Sequence, residues 1–237
     1  MSMFMELDLN WKLEMAKCTY ILHIETATKS CSVALSKNGN RLHCVEDHGD
    51  SFVHGEKLAL FIQHVLSGAT INPSDLAAIS ISSGPGSYTG LRIGVSVAKG
   101  MCFALSIPLI SINTLQSYEK CARIQYPNLN SICVMIDARR MEVFSALFDH
   151  EGTFMKTTSA EILDEVSYKE FEPFTCVGDG SAKMKEFWND RAILFVDNCH
   201  LSAVGQVELA YTKYLNQDFE DVAYFEPNYV KEFYSGS

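Results

Sequence analysis

None of the eight cysteines in this 237-residue chain forms a Cys-x-x-Cys pair, which removes the commonest zinc and dithiol-redox spacings. They stand at 18, 31, 44, 102, 121, 133, 176 and 199, mostly inside strand and helix patterns, as reduced buried thiols do, so a reducing cytoplasmic setting is expected. No apolar run approaches the ~20 residues of a membrane-spanning helix, and no membrane partner is expected. Basic residues are scarce: 19 Lys and Arg stand against 29 Asp and Glu, for a net charge of −10. That balance is wrong for a chain that grips a nucleic-acid backbone unaided. The first fourteen residues lack the basic start, apolar run and small-residue cleavage site of a secretory signal. Because the strand pattern begins only at Tyr20, and Met15 is itself a plausible start, residues 1–17 read as an N-terminal extension whose first fourteen residues are dispensable.

What remains is an ordinary globular composition, 47% hydrophobic and 20% charged, long enough for one large domain or two small lobes. Apolar runs at 20–25, 31–37 and 41–46 predict three antiparallel strands, with Asn38-Gly39 as the two-residue turn between the last two. Leu58, Phe61, Ile62, Val65 and Leu66 at helical spacing predict a helix over 53–67 that ends at Gly68. A strand at 77–82, a helix at 90–105 and a strand at 109–112 follow, then a helix through 124 capped by Asn113. The meander then repeats at 131–137, 141–148 and 153–158. After it come a short helix near 160–168, a strand at 174–177, a helix from Ser181, a strand at 193–196 and a helix over 202–217. Two similar α/β lobes, each a mixed sheet with helices, are the simplest summary, divided here as 18–118 and 119–237.

The most informative stretch is Ser83 to Gly94, Ser-Gly-Pro-Gly-Ser-Tyr-Thr-Gly-Leu-Arg-Ile-Gly, between a strand and a helix. It carries neither the Gly-Lys-Ser/Thr of a P-loop nor Gly-x-Gly-x-x-Gly. With φ > 0 open to Gly84, Gly86 and Gly90, its backbone N–H groups can converge on an anion at a helix N-terminus. Ser87 and Thr89 offer hydroxyls, Thr89 serving equally as an N-cap, and Arg92 is within reach of a phosphate or a partner carboxylate. Glu25 ends the first strand and either holds a divalent cation through water or caps a turn, with Thr26 beside it. Asp137, next to Arg139 and Arg140, is a structural ion-pair residue or a catalytic carboxylate. His43, His48, His54 and His64 follow no accepted ligand spacing, so no metal site is expected there.

These words in this order, Ile24-Glu25-Thr26-Ala27-Thr28, Cys31 to Leu35, His54 to Leu58, Gly84 to Gly94, Ala98-Lys99-Gly100 and Ile136 to Phe144, resemble the bacterial TsaB family, which is related to the TsaD transferases and the glycoprotease-like proteins. The match is weaker after residue 148, resuming at Gly178-Asp179-Gly180 and at 227–230. The resemblance implies the two-lobed actin/hexokinase/Hsp70-like (ASKHA) fold. It also implies a role in placing threonylcarbamoyl on the adenosine beside the anticodon of tRNAs that read codons starting with A. Glu25 departs from the aspartate usual in that family.

The related transferase carries a metal-binding His-x-x-x-His after the strand that follows the glycine-loop helix; the matching stretch here is Asn113-Thr114-Leu115-Gln116-Ser117. Asn and Ser do not replace imidazole as transition-metal ligands, so no metal and no intrinsic transferase activity are expected. The resemblance implies instead a non-catalytic partner of a TsaD-like transferase and a TsaE-like ATPase, with a homodimer when the transferase is absent, tRNA met only through the complex, and ATP or ADP bound there without being required by this chain. The two first-lobe helices would form the interface, through His54, Leu58, Phe61, Gly94, Ala98, Gly100 and Met101. Read without the family, both stripes simply cover their own sheet. An ATP-dependent phosphotransferase of the same fold and a glycoprotease-like peptidase are the alternatives.

Overall fold

The computed structural model describes residues 18–49 and 54–230; the N-terminal extension and the first position of the expected 53–67 helix lie outside them. Among these residues ten strands form two five-stranded sheets. The first contains β1 (Tyr20–Glu25), β2 (Cys31–Lys37), β3 (Asn40–Asp47), β4 (Leu76–Gly84) and β5 (Leu109–Asn113), in the order β3-β2-β1-β4-β5. The second contains β6 (Ile132–Asp137), β7 (Glu142–Phe148), β8 (Phe154–Ile162), β9 (Phe174–Val177) and β10 (Ile193–Val196), in the order β10-β9-β6-β7-β8. Read from opposite edges, the two orders are the same. Each lobe is an antiparallel three-strand meander extended by two parallel strands, which is the repeat legible in the sequence.

Among the described residues four α-helices accompany the sheets: α1 (His54–Gly68), α2 (Tyr88–Leu105), α3 (Thr114–Gln125) and α4 (Val207–Leu215). In the first sheet the pleat sorts the sequence. Leu22, Ile24, Val33, Leu35, Ile79, Ile81 and Leu109 bury one face against α1 and α2. The opposite face has Ile21, Ala78, Ile110 and Ile112 under α4, and next to them a fully buried polar row of His23, Glu25, Ser32, Ser36, Ser80 and Ser82. In the second sheet, Ile132, Val134 and Ile136 meet α3, and Cys133 and Met135 pack with Trp188, Met184 and Phe174.

Three elements differ from the sequence reading. The expected helix near 160–168 is absent because β8 runs on to Ile162, where Glu142↔Ile162 pairing continues the ladder. The expected helix from Ser181 is a 3-10 turn over Asp179–Met184, and the 202–217 helix begins as a 3-10 segment at Ala203–Gln206 before α4. The tail after residue 202 also crosses back. Helix α4 covers the first sheet, Glu220 N–H donates to Leu109 O at 2.9 Å, and Asn228 N–H donates to Ser83 O at 2.6 Å. A division at 118/119 therefore assigns to the second lobe a tail that sits on the first.

Candidate functional site

The site is built where β1, the glycine loop and the segment before α4 converge. Glu25 closes β1 fully buried. One carboxylate oxygen accepts from Ala27 N–H at 2.8 Å; the other accepts from the Ser82 hydroxyl and from Gln206 Nε2, 3.3 Å away. Burial raises its pKa, against the hydrogen bonds that lower it. Both oxygens are thus spent inside the chain, which supports the turn-capping reading of Glu25 over water-mediated cation binding.

Gln206 is the residue that sequence reading missed. From the second half of the chain it enters the polar row of the first sheet, donating to Ile24 O at 2.7 Å and accepting from Ser80 Oγ at 2.7 Å. Beside it, His23 bridges Ser80 Oγ (2.7 Å) and Ser36 Oγ (2.8 Å), and burial lowers its pKa to about 3. The signal was present as serines at alternate positions of β2 and β4, which a buried face tolerates only when their hydroxyls find partners.

The glycine loop is occupied by its own chain. Gly84 N–H donates to Thr114 Oγ1 at 3.1 Å and Ser87 N–H to Ala27 O at 2.6 Å. Gly90 N–H donates to Ser87 Oγ at 3.3 Å, so Ser87 is the N-cap of α2 and Thr89 is not. Of the three glycines expected to need φ > 0, only Gly84 does, at +106°. Gly86 is small because Ala27 presses on it, and Gly90 and Gly94 because Thr26 does. Thr26 is fully buried beneath α2, with its hydroxyl unpartnered. Arg92, exposed, stacks over the Tyr88 ring at 4.1 Å and donates to Tyr229 Oη at 3.1 Å, so the tail segment latches onto the loop.

Across the mouth between the lobes, Asp137 makes no ion pair with Arg139 or Arg140. It accepts from Lys183 Nζ at 2.7 Å and from Arg139 N–H at 2.6 Å, and donates its own N–H to Asp179 at 3.0 Å. Partial burial pushes Asp137 up, and the hydrogen bonds from Lys183 and Arg139 N–H together with the Lys183 and Lys29 charges outweigh it and hold the carboxyl below its usual value. Burial pushes Asp179 up.

Of the interface residues, His54, Leu58, Gly94 and Ala98 are buried within the chain, His54 Nε2 donating to Thr28 O at 2.8 Å. These four are taken up by contacts inside their own lobe. Phe61 and Met101 are half-buried, and Gly100 is exposed with nothing within 4 Å of a Cβ added there. The open surface of the pair also carries Leu60 and Phe103, the latter 83% exposed.

The position of the transferase's metal-binding pair does not fit a metal. Asn113 Oδ1 caps α3 by accepting from Leu115 and Gln116 N–H at 3.0 and 3.1 Å, and its amide donates to Thr158 Oγ1. Ser117 is fully buried. Among the described residues no group of three or more His, Cys, Asp or Glu is arranged to hold a metal ion, and no helix is long and apolar enough to cross a membrane.

Residues 51–232 match the family model described as TsaD: tRNA N6-adenosine threonylcarbamoyltransferase. A relative from Haemophilus influenzae, named tRNA threonylcarbamoyladenosine biosynthesis protein TsaB, is 26% identical over 225 residues, covering 89% of this chain and 93% of its own. A protein of the same name from Buchnera aphidicola subsp. Schizaphis graminum is 30% identical over 172 residues, 70% of this chain and 80% of its own. Among solved structures, YeaZ from Pseudomonas aeruginosa superposes with a TM-score of 0.76 over 89% of this chain and 99% of its own at 23% identity, which shows the same two-lobed fold.

Proposed function

This chain belongs to the TsaB branch of the TsaD family, and from that membership we propose that it is the non-catalytic subunit that pairs with a TsaD-type transferase in tRNA threonylcarbamoyladenosine synthesis. The observation that carries the non-catalytic part is the state of Asn113 and Ser117. Where the transferase places two imidazoles, this chain has a helix cap and a fully buried hydroxyl, and neither has the donor chemistry or the access to hold a transition metal. The catalytic metal of the reaction therefore belongs to the partner.

The pairing surface is the exposed part of α1 and α2, with Gly100, Phe61 and Met101 on it and the buried positions holding the two helices on their sheet. Leu60 and Phe103 stand exposed on the same two helices, and apolar side chains left open in this way are what a protein contact covers. A second copy of the chain is the occupant when the transferase is absent, and a TsaE-type ATPase joins the assembled pair. The glycine loop's own hydrogen bonds support a chain that needs no nucleotide of its own, any ATP or ADP being held in the assembly.

The test is reconstitution with the TsaD-type transferase from the same cell. With a threonylcarbamoyl donor and the TsaE-type ATPase supplied, threonylcarbamoylated tRNA should appear with both subunits and vanish when this chain is omitted. It should not appear with this chain alone, and modification by the isolated chain refutes the non-catalytic reading.

A further inference from the structure

The turn between β6 and β7 is built from the wrong residues for its backbone. Arg139 and Arg140 are both left-handed, at φ +70° and +51°, a conformation that favours Gly, Asn and Asp because a larger side chain crowds its own carbonyl. The chain uses the ordinary solution elsewhere: the β2–β3 turn is Asn38-Gly39, at φ +51° and +75°. The turn is held through its backbone, Asp137 accepting from Arg139 N–H at 2.6 Å and Glu142 N–H donating to Arg139 O at 3.2 Å. Their expected partner Asp137 is taken by Lys183, and neither guanidinium enters an ion pair among the described residues, whereas Arg123 and Arg191 do, with Glu119 and Glu172.

The surroundings are cationic in a chain whose net charge is −10. Both arginines are exposed, and so is Lys29 on the β1–β2 turn of the other lobe, close enough to act electrostatically on Asp137 and Asp179. Lys29, Arg139, Arg140 and Lys183 thus stand, four to three, against Asp137, Asp179 and Glu142, whose backbone closes the turn. A net acidic protein repels a polyanion over much of its surface, and a local group of cations gives it a point of approach. Planar guanidinium forks on an exposed hairpin tip suit phosphate oxygens, which accept two N–H bonds at once.

We propose that the Arg139–Arg140 turn, together with Lys29, is a direct contact for the phosphate backbone of the tRNA within the assembled complex. This inference rests on the function proposed above and adds to it a surface of this chain that touches the substrate. The acidic remainder of the chain keeps that contact from sufficing alone, so RNA binds only once the partner supplies the rest.

The test uses this chain assembled with its transferase, unmodified tRNA transcript as the probe, and the double variant Arg139→Asn/Arg140→Gly. That pair fits the left-handed turn better than the arginines do, so the variant folds while both guanidiniums are gone. Its complex should bind tRNA about tenfold or more weakly at 0.1 M salt, with a salt-dependence slope shallower by about 1.5 to 2, the counterions of two phosphates. Lys29→Gln should reduce the slope by about 1 more. Affinity and slope equal to the native complex overturn the inference. Weaker binding to the transferase with an unchanged RNA slope also overturns it, by assigning the turn to an acidic protein surface. If the native complex itself makes no modified tRNA, the functional reading fails and the inference with it.

Discussion

Acidification from pH 7 to pH 5 should remove about 2 kcal/mol of stability through His23 alone. The ring is fully buried, its two nitrogens lie 2.7 and 2.8 Å from Ser80 and Ser36, and burial lowers its pKa from 6.5 to about 3. The unfolded chain therefore takes up this proton below pH 6.5, while the folded chain refuses it until about pH 3. The contribution is complete above pH 6.5, falls by about 1.4 kcal/mol per pH unit once well below it, and is gone below about 3. Glu25 acts in the opposite sense, since its raised pKa stabilises the acid side and is lost as pH rises through the folded value. Comparison with His23→Gln cancels Glu25 and the other titrating groups. Urea unfolding of both proteins at pH 7, 6 and 5 should show the variant less stable at pH 7, with the gap closing by about 2 kcal/mol at pH 5. Parallel stability curves would refute the reasoning, because they would mean that the imidazole titrates alike in both states.

Other substitutions separate packing from pairing. Gly94→Val places a side chain against Thr26 and Ile81 and should destabilise the monomer by about 1–3 kcal/mol in urea titration. Gly100→Leu meets open space, so it should leave the monomer as stable or raise it by about 0.5–1 kcal/mol, while weakening heterodimer formation in an affinity titration. Asn113→Ala removes the cap of α3 and should lower stability by about 1 kcal/mol. Asn113→His/Ser117→His should gain no measurable zinc affinity by calorimetry, since residue 117 is sealed inside the protein.

Much of the frame was legible because local chemistry and tertiary packing agree in it. The Asn38-Gly39 turn, the Asn113 cap and the strands of the first sheet follow from residue type and period, and the lobe repeat follows from them. The reading failed where tertiary contact decided. Residues 154–162 became one long strand because β7 was there to pair with, and Thr89 lost the capping role to Ser87, whose own N–H is anchored by Ala27 O. At the site, burial and long-range contact sorted the candidates in ways that residue type alone does not show. Asp137 chose Lys183 over its neighbouring arginines, and four of the seven interface residues serve the monomer's interior. Gln206 left no trace of its role, because a lone glutamine before a helix has no pattern, and its partners lie more than a hundred residues away.

That late glutamine ties the first strands of the chain to its last quarter. The polar row on the first sheet, laid down by residues 23–82, has no lining until residue 206 arrives, and the edge at Leu109 and Ser83 has no seal until residues 220–228 do. On the ribosome the earliest strands to emerge should therefore wait for these contacts until the end of the chain is made. A nascent chain stalled before residue 206 holds a half-built lobe with open serines and an imidazole facing water, ready for chaperone or protease until the final stretch closes over it.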